Sequence, residues 1–143
     1  MVALTAERNT RMRTGDIRLE PVAAAVKIWN GSLVMRNAAG LLTKGATATG
    51  CIGVGRAEKT VDNSAGAAGA ASVEYRTGIF LFANSAAGDL IVAADIGKPC
   101  FIVDDQTVAK TDGTASRSRA GIVDGVDAIG VWVRCDEAIT RGA

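Results

Sequence analysis

The chain has 143 residues, of which 48% are hydrophobic but only 4% are aromatic. This length fits a single domain, and the scarcity of aromatic residues predicts a thin core of valine, isoleucine and leucine, as in packed sheets rather than around a deep enzyme cleft. The 16 lysines and arginines nearly balance the 15 aspartates and glutamates. This balance argues against nucleic-acid binding over the protein surface as a whole, because binding to phosphates needs a clear excess of positive charge.

Residues 1–20 are polar and are predicted to form an extended N-terminal arm. The segment lacks the apolar face of a helix, and its charges stand where a secretory signal would need an apolar core. No apolar run in the chain is long enough to span a membrane. We therefore expect the protein to fold in the cytoplasm, with the arm free to contact a partner. The arm contains four arginines: Arg8, Arg11, Arg13 and Arg18.

From Pro21 onward, turn-forming residues recur about every 8 to 12 positions, the spacing that is typical of a small β-sandwich or barrel. The segments between these turns alternate between apolar and polar residues or are short and wholly apolar, so they are predicted to be strands. In chain order the predicted strands are 25–29, 32–36, 51–58, 72–76, 79–82, 100–103, 106–110, 120–124 and 131–135.

The connections between these strands complete the prediction. Asn30-Gly31 is a strong tight-turn dipeptide, so the first two strands are predicted to form a hairpin. Residues 93–97 are predicted to form a single helical turn. The predicted fold class is all-β: a small jelly-roll-like sandwich or barrel of about nine short strands. The β domain would span 21–138, between the arm at 1–20 and a C-terminal tail at 139–143.

The strand at 79–82 is apolar on both faces, because Phe80 and Phe82 share one face and the apolar residues beside them share the other. Such a strand is buried within its domain or covered by a second copy of the chain. We therefore expect a homo-oligomer, a dimer rather than a trimer. Trp29 and Trp132 are predicted to anchor the core.

A low-complexity stretch, DNSAGAAGAAS at residues 62–72, precedes one of these strands. The stretch contains three residues of types that favour turns, Asn63, Ser64 and Gly66. It is therefore predicted to be an exposed loop that joins two strands. Its small side chains would permit the close approach of a neighbouring subunit. The alternative is a slack surface loop that makes no contact.

The chain contains no histidine, which excludes Ser-His-Asp and Cys-His catalysis and HExxH zinc sites. Cys51, Cys100 and Cys135 are odd in number and widely spaced, so neither a disulfide framework nor a CxxC metal site fits them. All three lie in apolar runs and are predicted to be reduced, buried thiols.

Two further patterns resemble nucleotide-binding motifs but lack residues that such motifs require. The glycines at Gly50, Gly53 and Gly55 resemble the start of a dinucleotide fingerprint, but Glu58 replaces the third glycine and no amphipathic helix follows. The 62–72 stretch lacks the Gly-Lys-Ser/Thr ending of a phosphate loop. We therefore predict no cofactor and no enzymatic activity.

Two charged clusters lie in the second half of the chain. Asp104 and Asp105 are adjacent, so they point to opposite faces of a strand and are predicted to form a turn rather than a catalytic pair. Arg117 and Arg119 form a small basic cluster that is predicted to meet an acidic protein surface. A phosphate contact is the alternative for this cluster.

Four blocks of the sequence resemble the capsid cement, or head decoration, proteins of tailed double-stranded-DNA bacteriophages. The blocks are VKIWNGSLVMRNAAGLL (26–42), CIGVGRAEKTVDNSAGAAGAASVEYRTGIFLFANS (51–85), ADIGKPCFIVDDQTVAKTDG (94–113) and AGIVDGVDAIGVWVRC (120–135). No block is specific alone, but their order and spacing carry the resemblance from about residue 22 to 136. The strand that contains Gly53 and Gly55 departs from the family pattern, because it holds more glycine.

The resemblance implies a structural virion protein that binds the outer face of an icosahedral capsid and bridges major capsid subunits. The implied partners are the major capsid protein and further copies of this chain, with neither nucleic acid nor a membrane. The protein would be assembled in the cytoplasm of a bacterial host. The predicted interface residues are Arg8, Arg11, Arg13, Arg18, Asn63, Ser64, Gly66, Arg117 and Arg119.

The alternative function from another class is a small nucleic-acid-binding β-barrel in which the arginines of the arm contact phosphates. This alternative requires an affinity that falls steeply with salt, and aromatic side chains on an exposed strand face. With one tyrosine and three phenylalanines, mostly in apolar runs, such a stacking platform is hard to build.

Overall fold

Twelve β-strands and one short α-helix form the structure, a computed structural model that describes residues 2–13 and 15–143. The strands are β1 (Ile17–Pro21), β2 (Val26–Ile28), β3 (Leu33–Arg36), β4 (Leu42–Lys44), β5 (Ile52–Ala57), β6 (Val61–Asn63), β7 (Ser72–Arg76), β8 (Gly78–Phe82), β9 (Pro99–Ile102), β10 (Val108–Ala109), β11 (Arg119–Asp127) and β12 (Gly130–Cys135). The helix α1 (Glu137–Gly142) follows β12, and the predicted helical turn is a 3-10 turn at Ala93–Asp95. The all-β prediction is confirmed, and the strands that it missed are β1, β4 and β6.

The strands form three antiparallel sheets. The middle sheet has the order β1-β7-β5-β3-β4, the front sheet has the order β10-β9-β11-β12-β8, and the small sheet pairs β2 with β6. The middle sheet lies between the other two sheets, and its strand β3 is buried on both faces. Leu33 and Met35 belong to one core with the front sheet, whereas Val34 belongs to a second core with the small sheet.

Each core is mainly aliphatic, as the composition predicted. The first core lies between the front and middle sheets and includes Leu33, Met35, Phe80, Phe82, Ile91, Ile102, Val108, Val123, Val131 and Val133. The second core lies between the middle and small sheets and includes Val22, Ile28, Val34, Leu42, Ile52, Val54, Val73 and Tyr75. A middle sheet that is covered on both sides buries much apolar surface with few aromatic residues.

Gly53 of β5 allows the middle and front sheets to approach closely. A methyl group at Gly53 would lie 2.8 Å from Cα of Ala120 in β11, and closer still to the carbonyl oxygen of that residue. The pairing of β5 with β3 also shifts register between Val34 and Met35, so that one residue of β5 is unpaired. Gly53 therefore has a packing role between the two sheets.

The predicted hairpin of the first two strands is wrong, although its turn exists. The Ser32 amide donates to the Trp29 carbonyl at 3.0 Å, as a tight turn requires. Beyond that turn the chain moves to another sheet, because β2 pairs with β6 while β3 pairs with β4 and β5. Between β5 and β4 in the middle sheet, the side chains of β3 are buried on both faces.

The predicted domain boundaries also need correction at both ends. The arm does not reach residue 20, because β1 pairs with β7 from Ile17 to Pro21. Met1 and Thr14, which the arm prediction includes, lie outside the described residues. The tail predicted at 139–143 is largely helical, since the Asp136 side chain accepts a hydrogen bond from the Ile139 amide and caps α1.

The three cysteines are free thiols that differ in burial. Cys100 and Cys135 are buried as predicted, and burial raises the pKa of Cys100 to about 12 and also raises the pKa of Cys135. Cys51 is only half-buried, in contrast to the prediction, because it precedes β5 at the rim of a pocket.

We expect one thiol per folded chain, Cys51, to react with Ellman's reagent at about pH 8, because it is partly exposed whereas the other two are buried. Partial burial also raises the pKa of Cys51, so its reaction should be slower than that of a free thiol. All three should react after unfolding in guanidinium chloride. The variant Cys51→Ser should abolish the reaction of the folded protein. Rapid reaction of a second thiol without unfolding would contradict the buried positions of Cys100 and Cys135.

Candidate functional site

The N-terminal arm is the most exposed part of the described chain. Residues 2–13 are all exposed and belong to no helix or strand, and Arg8, Arg11 and Arg13 lie there. Arg18 differs from these three, because it lies in β1, is half-buried and donates from Nε to the Gly15 carbonyl at 3.4 Å. The structure therefore separates the four predicted arginines into three on the free arm and one on the sheet.

The low-complexity stretch joins β6 to β7 as an exposed loop, as predicted. Asn63 is only 4% exposed, and its side-chain amide donates to the carbonyl oxygens of Ala23 (2.9 Å) and Ala67 (3.0 Å). Its prediction as an interface residue is therefore wrong, because those bonds hold it inside the protein. Gly66 is half-buried, and a methyl group there would collide with the Asn63 side chain. Of the three predicted residues, Ser64 alone is fully exposed.

The predicted basic cluster lines a pocket of about 350 Å³ to which a third arginine contributes. Arg117 and Arg119 lie on one wall, the segment 49–52 forms another, and Arg141 reaches the pocket from α1. No carboxylate lines the pocket, among the residues that the structure describes. Arg141 was missed by sequence reasoning, because only the return of α1 against the sheets brings it close to Arg119.

The arginines of this pocket differ in how they are paired. Arg117 forms an ion pair with Asp89 (3.2 Å) and Arg141 forms one with Glu137 (3.1 Å), and neither carboxylate lines the pocket. Within ranges 2–13 and 15–143, Arg119 forms no ion pair. The pocket is therefore cationic and suited to a carboxylate or a phosphate.

A second, larger cavity of about 430 Å³ is lined by residues of β1, β7 and α1, among others, and two of its charged residues, Arg36 and Glu137, pair with each other. Arg36 donates to Glu20 at 2.6 Å and to Glu137 at 2.8 Å, and also to the Gly40 carbonyl at 3.1 Å. Burial by itself raises the pKa of Glu137, but hydrogen bonds from Arg36 and Arg141 outweigh it and lower that pKa below its ordinary value. This triad ties β1, β3 and α1 together, so its role is structural.

Both tryptophans are exposed, so their prediction as core anchors is wrong. Trp29 is 55% exposed at the end of β2, where the Lys27 ammonium lies 3.8 Å from the ring centroid. Trp132 is 37% exposed, and its indole N–H donates to Asp127 at 2.9 Å. Trp132 points outward because its neighbours Val131 and Val133 occupy the core face of β12.

The outer face of β8 is also exposed, beside Trp132. Phe80 and Phe82 are buried in the first core, whereas Ile79 and Leu81 are 40% and 37% exposed. The prediction that both faces are buried therefore fails within a single chain, because no further layer of the described structure covers the front sheet. Ile79, Leu81 and Trp132 therefore form an exposed apolar surface on the front sheet.

No helix among the described residues is long and apolar enough to cross a membrane, and no three acidic or cysteine side chains in the described ranges are placed to share a metal ion. No family model matches the chain, and neither a curated protein nor a solved structure matches it significantly. Function is therefore argued from the three surfaces described above: the arm, the cationic pocket and the outer face of β8.

Proposed function

We propose that the protein is a structural, non-enzymatic virion component that binds the outer surface of an icosahedral bacteriophage capsid and bridges major capsid subunits. The observation that carries the proposal is the arm, which extends from the anchored strand β1 with residues 2–13 wholly exposed. An exposed basic segment on a rigid sandwich can lie along a neighbouring subunit without disturbing the fold. The resemblance of the sequence to capsid cement proteins supports the same role.

The chemistry of the arm and pocket fits an acidic protein surface. Guanidinium groups pair bidentately with carboxylates, and Arg8, Arg11 and Arg13 are free to adopt the spacing that the partner requires. The pocket around Arg119 offers a second, preformed contact for a carboxylate. Because the copies of a shell protein are repeated over a closed surface, modest individual contacts combine into a large stabilisation of the assembled shell.

The test is co-sedimentation of the purified protein with expanded, undecorated shells of the cognate major capsid protein. We expect binding to saturate at a fixed, near-integral ratio to the major capsid protein. The variant Arg8→Ser/Arg11→Ser/Arg13→Ser should bind at least about tenfold more weakly, because it removes three charge-assisted contacts.

The matched control is Lys44→Ser/Lys59→Ser/Arg134→Ser, which removes the same charge from exposed positions on the sandwich. It should bind shells like the unaltered protein. Equal losses in both variants would show a nonspecific charge effect and contradict the role of the arm. Absence of any shell binding would overturn the proposed function.

The second candidate is a nucleic-acid-binding β-barrel, which the exposed Trp29 and Trp132 favour as stacking residues. Titration with single-stranded DNA distinguishes it from the capsid role. Under this alternative the tryptophan fluorescence would be quenched, and the affinity would fall steeply with salt. Binding to shells without such quenching supports the capsid role.

A further inference from the structure

A third pocket, of about 420 Å³, is lined by the turn that follows β2 and by the segment between β9 and β10. Residues 29–32 form the first wall, and Asp105 and Gln106 form the second. The volume lies within the range of roughly 300–1,000 Å³ that is typical of small-molecule sites. None of the lining residues belongs to the arm or to the cationic pocket, so this pocket is separate from the contacts proposed above.

Backbone hydrogen bonds hold both walls of the pocket in place. The Leu33 amide donates to the Asp105 carbonyl at 2.8 Å and so joins the first wall to the second. The Gly31 amide donates to the Ala57 carbonyl at 2.9 Å, which fixes the turn against β5. A ligand therefore meets a site that is already formed, and its binding orders little of the chain.

The polar side chains of the pocket are available to a ligand. Four of them form no hydrogen bond or ion pair within residues 2–13 and 15–143: Asn30, Ser32, Asp105 and Gln106. Ser32 is only 6% exposed, and a buried hydroxyl normally has a partner. In the described chain, Arg117 Nε is the one unpartnered side-chain nitrogen or oxygen that is sealed from solvent. The Ser32 hydroxyl therefore reaches solvent, and the pocket that Ser32 lines is its outlet.

Trp29 gives the pocket an aromatic wall, since 55% of this residue is exposed. The Lys27 ammonium contacts the ring but does not line the pocket. The C–H groups on one face of a sugar ring pack against an aromatic ring, and its hydroxyl groups need both donors and acceptors. A carboxylate accepts, while side-chain amides and a hydroxyl do both. An aromatic wall beside several such groups therefore matches a carbohydrate.

We propose that this pocket binds a neutral carbohydrate, with one sugar ring against Trp29 and its hydroxyl groups bonded to the polar side chains around it. Of the described residues that line the pocket, Asp105 alone is charged, so it repels sialic and uronic acids. A cationic ligand would pair with Asp105 but leave the amide and hydroxyl donors of Asn30, Ser32 and Gln106 unused. The inference goes beyond the proposed function and needs no capsid shell.

The first test is binding of the purified full chain, without shells, to an array of immobilised oligosaccharides. The neutral set contains glucose, galactose, mannose, rhamnose and N-acetylglucosamine units, and the acidic set contains sialic or uronic acids. We expect binding to neutral members and none to acidic ones. Trp29→Ala and Asp105→Ala should each lower the affinity by about tenfold or more, because each removes a group that contacts the sugar. Absence of binding to every neutral member, or a preference for acidic ones, would overturn the proposal.

The matched controls are Ile129→Ala and Asp112→Ala, which truncate an exposed apolar and an exposed acidic residue outside the pocket. Both should bind like the parent protein, and circular dichroism would establish that all variants fold. The variant Asp105→Asn keeps an acceptor but removes the charge, so it should bind acidic oligosaccharides better than the parent does. Equal losses in the pocket and control variants would contradict the site.

The second test is a fluorescence titration, because the chain has only two tryptophans. A soluble form of the bound oligosaccharide should change the emission of the parent but not of Trp29→Phe, in which Trp132 is the remaining indole. A change that persists in Trp29→Phe would overturn the site. Single-stranded DNA is the rival probe, and quenching by DNA that Trp29→Phe abolishes, without any oligosaccharide binding, would assign the pocket to nucleic acid instead. Shell binding uses the arm, so failure of these tests leaves the proposed function intact.

Discussion

Replacing Gly53 by alanine is expected to lower the free energy of unfolding by about 2–3 kcal/mol. The added methyl group would overlap the backbone of Ala120, which belongs to β11 of the facing sheet. A backbone atom cannot turn aside as a side chain can, so the two sheets must move apart and lose packing across the first core. The melting temperature should fall by about 5–10 °C, measured by circular dichroism.

The control for this prediction is Gly88→Ala. Gly88 lies in an exposed 3-10 turn, and a methyl group there would meet no atom within 4 Å. The substitution should leave stability unchanged or raise it slightly, since alanine restricts the unfolded chain more than glycine does. A Gly53→Ala variant as stable as Gly88→Ala would contradict the close approach of the two sheets.

Replacing Arg36 by methionine is expected to lower the free energy of unfolding by about 2 kcal/mol, measured by urea denaturation. Loss of one partner in a buried ion pair is typically worth about 3–5 kcal/mol, and partial exposure of this triad reduces the effect. The variant leaves Glu20 and Glu137 without their shared cation, at side-chain exposures of 19% and 29%. The exposed Arg134, which forms an ion pair with Asp124, supplies the matched variant Arg134→Met, which should change stability by no more than about 0.5 kcal/mol.

Two further measurements separate the charge effect from lost packing. Adding Glu20→Gln and Glu137→Gln to Arg36→Met should restore more than half of the lost stability, because the uncompensated charges are gone. Acidification should also reduce the difference in the free energy of unfolding between the parent protein and the Arg36→Met variant. The folded pKa of Glu137 is lowered, so its contribution is complete above the unfolded value of about 4.3 and is lost as the pH falls through the folded value. A difference that is independent of pH would assign the effect to packing.

Prediction from the sequence succeeded where the signal is local. The strands at 72–76 and 79–82, the turn at 93–97 and the loop after Asn63 were found from alternation and turn residues. The Asp104 turn is also as predicted, since the Asp104 side chain accepts from the Gln106 amide at 2.9 Å. Each of these features depends on residues that are close in the chain, so their physical causes are visible in a short window.

Prediction failed where burial depends on a distant partner. Trp29 and Trp132 are large and apolar, but Trp29 lies just beyond the end of β2, and the core face of β12 is occupied by Val131 and Val133. Asn63 is a residue type that favours turns and it borders a loop, yet its side-chain amide donates hydrogen bonds to two carbonyl groups inside the protein. The third arginine of the cationic pocket, Arg141, is separated from Arg119 by a hairpin and a helix cap.

The sequence by itself determined that this chain forms short strands, that its core is mainly aliphatic, and that its N-terminal segment is polar, although the arm predicted at 1–20 ends earlier. Period-two alternation, turn residues and composition act locally, so they need no knowledge of the pairing. Only the tertiary structure decided which strands are neighbours, because hydrogen-bonded pairing joins segments that are far apart in the chain. That pairing placed β3 between two cores and brought Arg141 to the basic cluster. It also left the side chains of Ile79 and Leu81 exposed on the outer face of the front sheet.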